Sequence, residues 1–291
     1  MPQATSFDAP NGFASGTRSG MITVLRFANV GAALDIRLPA TTPRQLGNAY
    51  SHDREMGRLA ISTARYNTAV IRPVSQHEGG IDIVRLFDGQ QRPLMTLGGG
   101  SASGAATGVR LTSSGTPALD TQTGSNWRWR VPAMNVAGNR RNRAGTFTVL
   151  SAGATMRSAR KHKASVRISH RFSYSAIETD FRIRRGNATD ATVRVPLWGS
   201  QSTIEVVKGA RRQGKQVRRT SGTLLLRMHT LDGARMLVAL RGIPSRATIV
   251  VARHRRSAKA PAGAQELRVR FRLRGQTTKI QRRIAVVPAS P

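Results

Sequence analysis

The chain has 291 residues, a formal net charge of +33 and an apolar fraction of 39%, with only 5% aromatic residues. It contains no cysteine, which excludes disulfides, thiolate metal sites and thiol nucleophiles, and no apolar run approaches the ~20 residues of a membrane-spanning helix. Forty-one of its 47 basic residues are arginine; residues 1 to 150 carry 16 basic and 8 acidic groups, residues 151 to 291 carry 31 and 6.

The first 20 residues lack a basic segment followed by an apolar one. The chain is therefore expected to be either cytoplasmic or a piece of a larger protein, and Phe7 to Phe13 reads like the inside of a protein. Period-two alternation predicts strands over Met21 to Phe27 and Ala33 to Leu38. A single short helix is predicted near Pro43 to Gly57, with Thr42 as N-cap and Pro43 at the first helical position. Alternation returns over Gly80 to Phe87, and Asp88-Gly89 then gives a turn. Gly98 to Gly108 reads as a loop, because no lysine and no helix follow as a phosphate-binding loop requires.

Further strands are predicted over Ala164 to Phe172, Glu178 to Arg184, Ala191 to Leu197, Thr223 to Met228 and Glu266 to Leu273. Turns at Gly186-Asn187, Trp198 to Ser200, Ser221-Gly222, Asp232-Gly233 and Gly242 to Pro244 separate them. Arg211 to Gly222 and Arg253 to Gln265 are expected as basic loops or hairpin tips. Many short strands without βαβ units predict an all-β protein, a large antiparallel β-sandwich of stacked sheets with few or no helices. It is read as one domain over residues 1–291, with a soft boundary near residues 151–163 where the basic character rises.

In Val166 to Phe172, Phe181 to Arg184 and Val269 to Arg274, one face is apolar and the other almost entirely arginine. Arg167, Arg171, Arg182 and Arg184 are thereby expected to face solvent or a ligand. A GC-rich genome inflates arginine by itself, but it acts on both halves alike, so the surplus after residue 150 points to a polyanion. His170, flanked by Ser169 and Arg171, is expected to be a solvated strand histidine. In Asn126 to Arg130, Trp127 and Trp129 fall on one strand face; they are either a stacking platform for sugar rings or core residues between sheets.

The densest cluster of chemically able side chains is Ala49 to Gly57 with Ser62 to Thr68. Tyr50, His52, Arg54, Tyr66 and Asn67 are the kinds of group that abstract a proton beside a uronic acid carboxyl, neutralise the carboxylate and expel the sugar at C4. Alternatively, Tyr50 and His52 cap a loop and pair with Asp53 or Glu55. His77-Glu78 lacks the second histidine of a zinc-protease helix, so no metal and no cofactor is expected.

At Ala49 to Gly57, Tyr66 to Val70, Gly79 to Gly89 and Thr192 to Gly199 the chain resembles the β-sandwich region of polysaccharide lyases of the heparinase II/III and alginate lyase type. The resemblance implies stacked antiparallel sheets that follow a helical toroid, with the sugar chain in the cleft between them. No toroid is encoded here, and the family draws its catalytic Tyr and His from both parts. The expectation is a module that binds an acidic polysaccharide at the cell envelope or outside the cell, with β-elimination by Tyr50, His52, Arg54 and Tyr66 if it is an enzyme. A nucleic-acid-binding β-protein and a structural module with genome-driven arginine stand as alternatives, and the sequence sets no oligomeric state.

Overall fold

The computed structural model describes residues 48–53, 58–71, 80–95, 105–121, 135–136, 143–158, 161–213, 216–219, 223–255 and 263–288. Their strands are β1 (Ala49–Asp53), β2 (Arg58–Ser62), β3 (Tyr66–Ile71), β4 (Gly80–Asp88), β5 (Pro93–Met95), β6 (Gly108–Ser113) and β7 (Thr116–Asp120). There follow β8 (Asn135–Val136), β9 (Arg143–Thr146), β10 (Leu150–Arg157), β11 (Ser165–Phe172), β12 (Ala176–Arg184), β13 (Asp190–Trp198) and β14 (Thr203–Lys208). The last are β15 (Ala210–Gln213), β16 (Gln216–Arg219), β17 (Leu224–His229), β18 (Arg235–Arg241), β19 (Thr248–His254), β20 (Ala264–Arg272) and β21 (Thr277–Val287). No helix occurs among the described residues, and the all-β expectation holds.

The strands form three antiparallel sheets packed together. One has six strands in the order β5-β4-β3-β2-β1-β9, one has eight in the order β14-β17-β18-β21-β12-β11-β10-β8, and one has seven in the order β15-β16-β19-β20-β13-β6-β7. Alternation decides which face each sheet buries. On β11, Val166, Ile168 and Phe172 are buried while Arg167, Ser169 and Arg171 are exposed. Ile177, Phe181 and Ile183 of β12 and Ile280, Ile284 and Val286 of β21 continue the inward face, and one apolar cluster joins them to Leu59, Ile83 and Leu86 of the six-stranded sheet and to Val193, Leu267 and Val269 of the seven-stranded one. Strand β13 is covered on both faces: Val193, Val195 and Leu197 are buried on one side, Arg194 and Pro196 on the other.

Three expectations need correction. The helix near Pro43 to Gly57 is replaced, over Ala49–Asp53, by a strand paired on both sides, with β2 and with β9. Two ladders of hydrogen bonds outweigh a local helix signal that rests on capping residues alone. The rest of that segment except Asn48, and the strands predicted over Met21 to Phe27 and Ala33 to Leu38, lie outside the described residues. Of the two readings of the basic stretch Arg211 to Gly222, the hairpin holds: residues up to Gln213 pair with Gln216 to Arg219 as β15 and β16. His170 is not solvated but buried, because it occupies an inward position in the series Val166, Ile168, His170, Phe172. Nor does all the charge face outward: Arg85, Arg194 and Arg282 are buried, the last two against Asp120 and Asp82.

An arginine-lined groove as the candidate functional site

On the outward face of the eight-stranded sheet the strand registers set side chains in rows. Ser151, Arg171, Glu178, Arg283 and Ala239 form one row from β10 across β11, β12 and β21 to β18. Gly153, Ser169, Asp180, Gln281 and Arg241 form the next, and Thr155, Arg167, Arg182 and Lys279 the third. Arg157, Ser165, Arg184 and Thr277 form the fourth. Neighbours within a row are about 4.8 Å apart and successive rows about 6.7 Å. Small side chains occupy the middle of this face, and a groove of about 930 Å³ opens over them between Arg167, Arg171, Arg241 and Arg283. A Cβ at Gly153 would lie 2.6 Å from the Ile168 carbonyl oxygen, so only glycine lets the strand run this close to β11.

The three carboxylates on this face among the described residues are each engaged, Glu205 Oε2 lying 3.2 Å from Arg227 Nη1. Glu178 Oε1 lies 3.8 Å from Arg283 Nε, and Asp180 Oδ2 lies 3.5 Å from Lys279 Nζ. Arg157, Arg167, Arg171, Arg182, Arg184 and Arg241 make no ion pair with another described residue. Arg167 stands directly opposite Arg182, and Arg182 directly opposite Lys279. Like charges in directly opposed cross-strand positions destabilise a sheet. Three of these guanidinium groups, on Arg167, Arg171 and Arg241, border the groove floored by Ser169, Gly153 and Gln281, and Arg157, Arg182 and Arg184 stand beside it on the same face; guanidinium groups so placed can clamp anions while hydroxyl and amide groups between them hydrogen-bond neutral parts of a ligand.

The strands beneath the groove carry a buried polar cluster on their inner side. Arg282 Nη1 donates to Asp82 Oδ2 at 2.8 Å, and Arg282 Nη2 donates to Asp82 Oδ1 and to Thr179 Oγ1, the latter at 3.2 Å. Thr107 Oγ1 and the Ile83 amide also donate to Asp82, at 3.0 and 2.7 Å. His170 Nδ1 is 3.1 Å from Thr179 Oγ1, and the Arg282 guanidinium carbon lies 5.2 Å from the Phe181 ring centre. Burial works against charge on Asp82, but Arg282, with help from His170 and the Ile83 amide, outweighs it and holds the carboxyl below the usual aspartate range. The seven-stranded sheet has its own buried pair, in which Arg194 Nη1 donates to Asp120 Oδ2 at 2.9 Å and Arg194 Nη2 to the Thr107 carbonyl at 3.0 Å.

The fourth row of this face, beyond the groove, leads to residues 161–164 between β10 and β11. The Asn187 amide donates to the His162 carbonyl at 2.8 Å and Asn187 Nδ2 to the Lys161 carbonyl at 2.9 Å. The close approach requires Gly186, which has φ +54° and whose Cβ would lie 2.2 Å from the His162 oxygen. Lys163 takes the left-handed conformation at φ 52°, which long side chains seldom adopt.

Arg167, Arg171, Arg182 and Arg184 thus share one face, as the alternation implied, whereas the run Val269 to Arg274 belongs to a different sheet, with Arg270 and Arg272 exposed there. Tyr50 and His52 fall on the inward face of the six-stranded sheet, opposite Ile61 and Leu59. Tyr50 packs on the core and meets Phe147 edge-on at 6.4 Å; His52 is buried. Tyr66 shares that inward face, fully buried, and its hydroxyl donates to the Ser173 carbonyl at 2.7 Å. Burial pushes its hydroxyl well above the usual phenol range. Asn67 points to the opposite side of β3 from Tyr66. Arg54, Trp127 and Trp129 lie outside the described residues. Sequence reasoning missed Arg241, Gln281 and Arg283, although the alternation Ile280, Arg282, Ile284, Val286 against Lys279, Gln281, Arg283 was there to find.

No family model and no curated protein matches the chain. Among solved structures it is similar to a heparan sulfate lyase from Pedobacter heparinus, with a TM-score of 0.51 at 12% identity over 97% of this chain and 42% of that one. A galactose mutarotase-like protein from Clostridium acetobutylicum aligns with a TM-score of 0.49 at 6% identity, over 84% of this chain and 98% of that one. A heparinase III aligns with a TM-score of 0.46 at 10% identity, over 86% and 37%. The chain spans about two fifths of the length of the heparan sulfate lyase. At 12% identity the likeness to the lyase is one of fold alone, a β-sandwich of stacked antiparallel sheets.

Proposed function

We propose that this chain is a carbohydrate-binding β-sandwich that holds an acidic polysaccharide in the groove on the eight-stranded sheet, at the cell envelope or outside the cell. The observation that carries the reading is the set of arginines on the outward face, of which Arg167, Arg171 and Arg241, without an ion pair to another described residue, border a groove with a small, polar floor. Guanidinium groups pair bidentately with carboxylates and sulfates. The shared fold with a heparan sulfate lyase agrees with this reading.

The test is retention of alginate, heparin, chondroitin, polygalacturonate, neutral dextran and single-stranded DNA on the purified chain at physiological salt. Retention of acidic polysaccharides above dextran and DNA, reduced when Arg171 and Arg241 are changed to glutamine, is the expected result. Equal retention of every polyanion, erased by salt, would reduce the groove to unspecific charge. Ultraviolet absorbance of a newly formed unsaturated uronate, followed in the same samples, reports whether the chain also carries out β-elimination.

A further inference from the structure

We infer that the end of the sandwich formed by the turns after β6, β10, β12, β18 and β20 docks on an anionic lipid bilayer through Lys161, Lys163, Arg246 and Arg274. The inference goes beyond the proposed groove and uses other residues, so either reading can fail alone.

The strand registers bring these five turns to one end of the molecule. Thr112 of β6 lies opposite Asp190 of β13, and Asp190 opposite Arg272 of β20. Arg184 of β12 lies opposite Ser165 of β11 and Thr277 of β21, and Arg241 of β18 opposite Gln281. Hydrogen bonds tie the turns to one another. Besides the two bonds from Asn187 to the Lys161 and His162 carbonyls, the Arg185 amide donates to the Gln276 carbonyl at 3.0 Å and Arg185 Nη1 to the Leu273 carbonyl at 3.1 Å. Ser113 Oγ donates to the Asn187 carbonyl at 2.9 Å. The backbone on either side of Arg274 and at Lys161 is thereby held at a common surface.

Lys161, Lys163, Arg246 and Arg274 are exposed and make no ion pair with another described residue. With Arg185 they give the described residues of these turns five cations and no carboxylate. Asp190, which borders them, accepts a hydrogen bond from Thr189 Oγ1 at 2.5 Å. The opposite end of the sandwich differs. Its turns, after β2, β4, β11, β13 and β17, carry two arginines, Arg65 and Arg92, together with Asp232, and Arg92 is tied to Asp88 at 2.7 Å. Genome-driven arginine would load both ends alike. Charge gathered at one end orients the molecule in the field of an anionic surface.

The placement of the cations favours a bilayer over a nucleic acid. They stand on turn tips drawn from two sheets, not along one strand row, and a planar surface meets such tips together. No Phe, Tyr or Trp lies among the described residues of these turns, so the stacking that holds single-stranded nucleic acid is missing. The exposed large apolar side chains also lie elsewhere, so the contact is with headgroups and weakens with salt.

The experiment measures co-sedimentation of the full chain with vesicles of phosphatidylcholine, alone or equimolar with phosphatidylglycerol, and binding of double-stranded DNA at the same salt. Binding to the anionic vesicles and not to the zwitterionic ones is expected. Lys161→Gln with Arg246→Gln and Arg274→Gln should weaken it on the order of a hundredfold. Arg227→Gln with Arg253→Gln and Arg255→Gln removes the same charge from exposed positions away from this end, and should weaken it less than about threefold. Retention of acidic polysaccharides should be the same in the first variant as in the wild type, which separates this surface from the groove. Equal losses in the two triple variants would reduce docking to net charge and overturn the inference, as would absence of vesicle binding. A first variant that loses more DNA binding than vesicle binding would overturn it in favour of a nucleic acid. Should that variant fail to fold, amide exchange of the wild-type chain decides. Anionic vesicles should slow exchange at residues 161–164, 185–187 and 273–276, and unchanged exchange there would sink the idea.

Discussion

Arg282 of β21 and Asp82 of β4, two hundred positions apart, share a two-pronged ion pair in which neither side chain is exposed to solvent. The pair ties the eight-stranded sheet to the six-stranded one, and Thr107, just before β6, joins it from the seven-stranded sheet. Removing one partner leaves a buried charge without compensation. Asp82→Ala or Arg282→Ala should therefore lose about 3–5 kcal/mol in urea denaturation. The double replacement Asp82→Leu with Arg282→Met should recover most of that loss, since it removes both desolvated charges.

The same carboxyl predicts the response to acid. Its folded pKa is depressed relative to the unfolded chain, so its contribution is present in full above the unfolded value and is lost as pH falls through the folded one. Urea midpoints measured from neutral pH to about pH 2 should drop below about pH 4. A folded Asp82→Asn variant should show a smaller drop, and an identical acid profile would refute the assignment.

Tyr66→Phe removes the donor to the Ser173 carbonyl, which then loses its side-chain partner at the junction of the two sheets. A loss of about 1–2 kcal/mol is expected. Retention of acidic polysaccharides by the folded variant should be unchanged, because the phenol faces the interior and the groove lies on the outward side of the eight-stranded sheet.

Gly186→Ala should destabilise by at least about 1 kcal/mol, since the residue sits at positive φ and the added methyl group meets the carbonyl oxygen of His162. Thermal unfolding measures the cost. Amide hydrogen exchange at residues 161–164 and 187 should accelerate in the variant, as the backbone bond that pins the loop is strained.

Arg167→Gln combined with Arg182→Gln should leave the free chain more stable by roughly 0.2–1 kcal/mol, because it removes a like-charge pair from directly opposed positions. The gain should shrink as salt is added, since the two groups are exposed and screened. A loss of stability at low salt would show that the arginines hold the sheet together and are not kept for a ligand.

Period-two alternation in Val166 to Phe172 and Phe181 to Arg184 was enough to place Arg167, Arg171, Arg182 and Arg184 outward, because a strand has only two sides and apolar groups take the one away from water. The same pattern carried the all-β class and the positions of most turns. It did not carry neighbourhood. That Arg167 faces Arg182, that Arg283 faces Glu178, and that Arg241 and Gln281 border the same groove follow from strand order and register, which are settled by how all the inward faces pack. His170 and Arg282 were misread or missed for a related reason. A polar residue at an inward position looks like an interruption of the pattern until its partner is known, and Thr179 and Asp82, which make burial tolerable, come from other strands. Local chemistry determined which side of each strand meets water, while the tertiary structure decided which charges meet one another, because pairing and desolvation depend on groups that the chain brings together only when it folds.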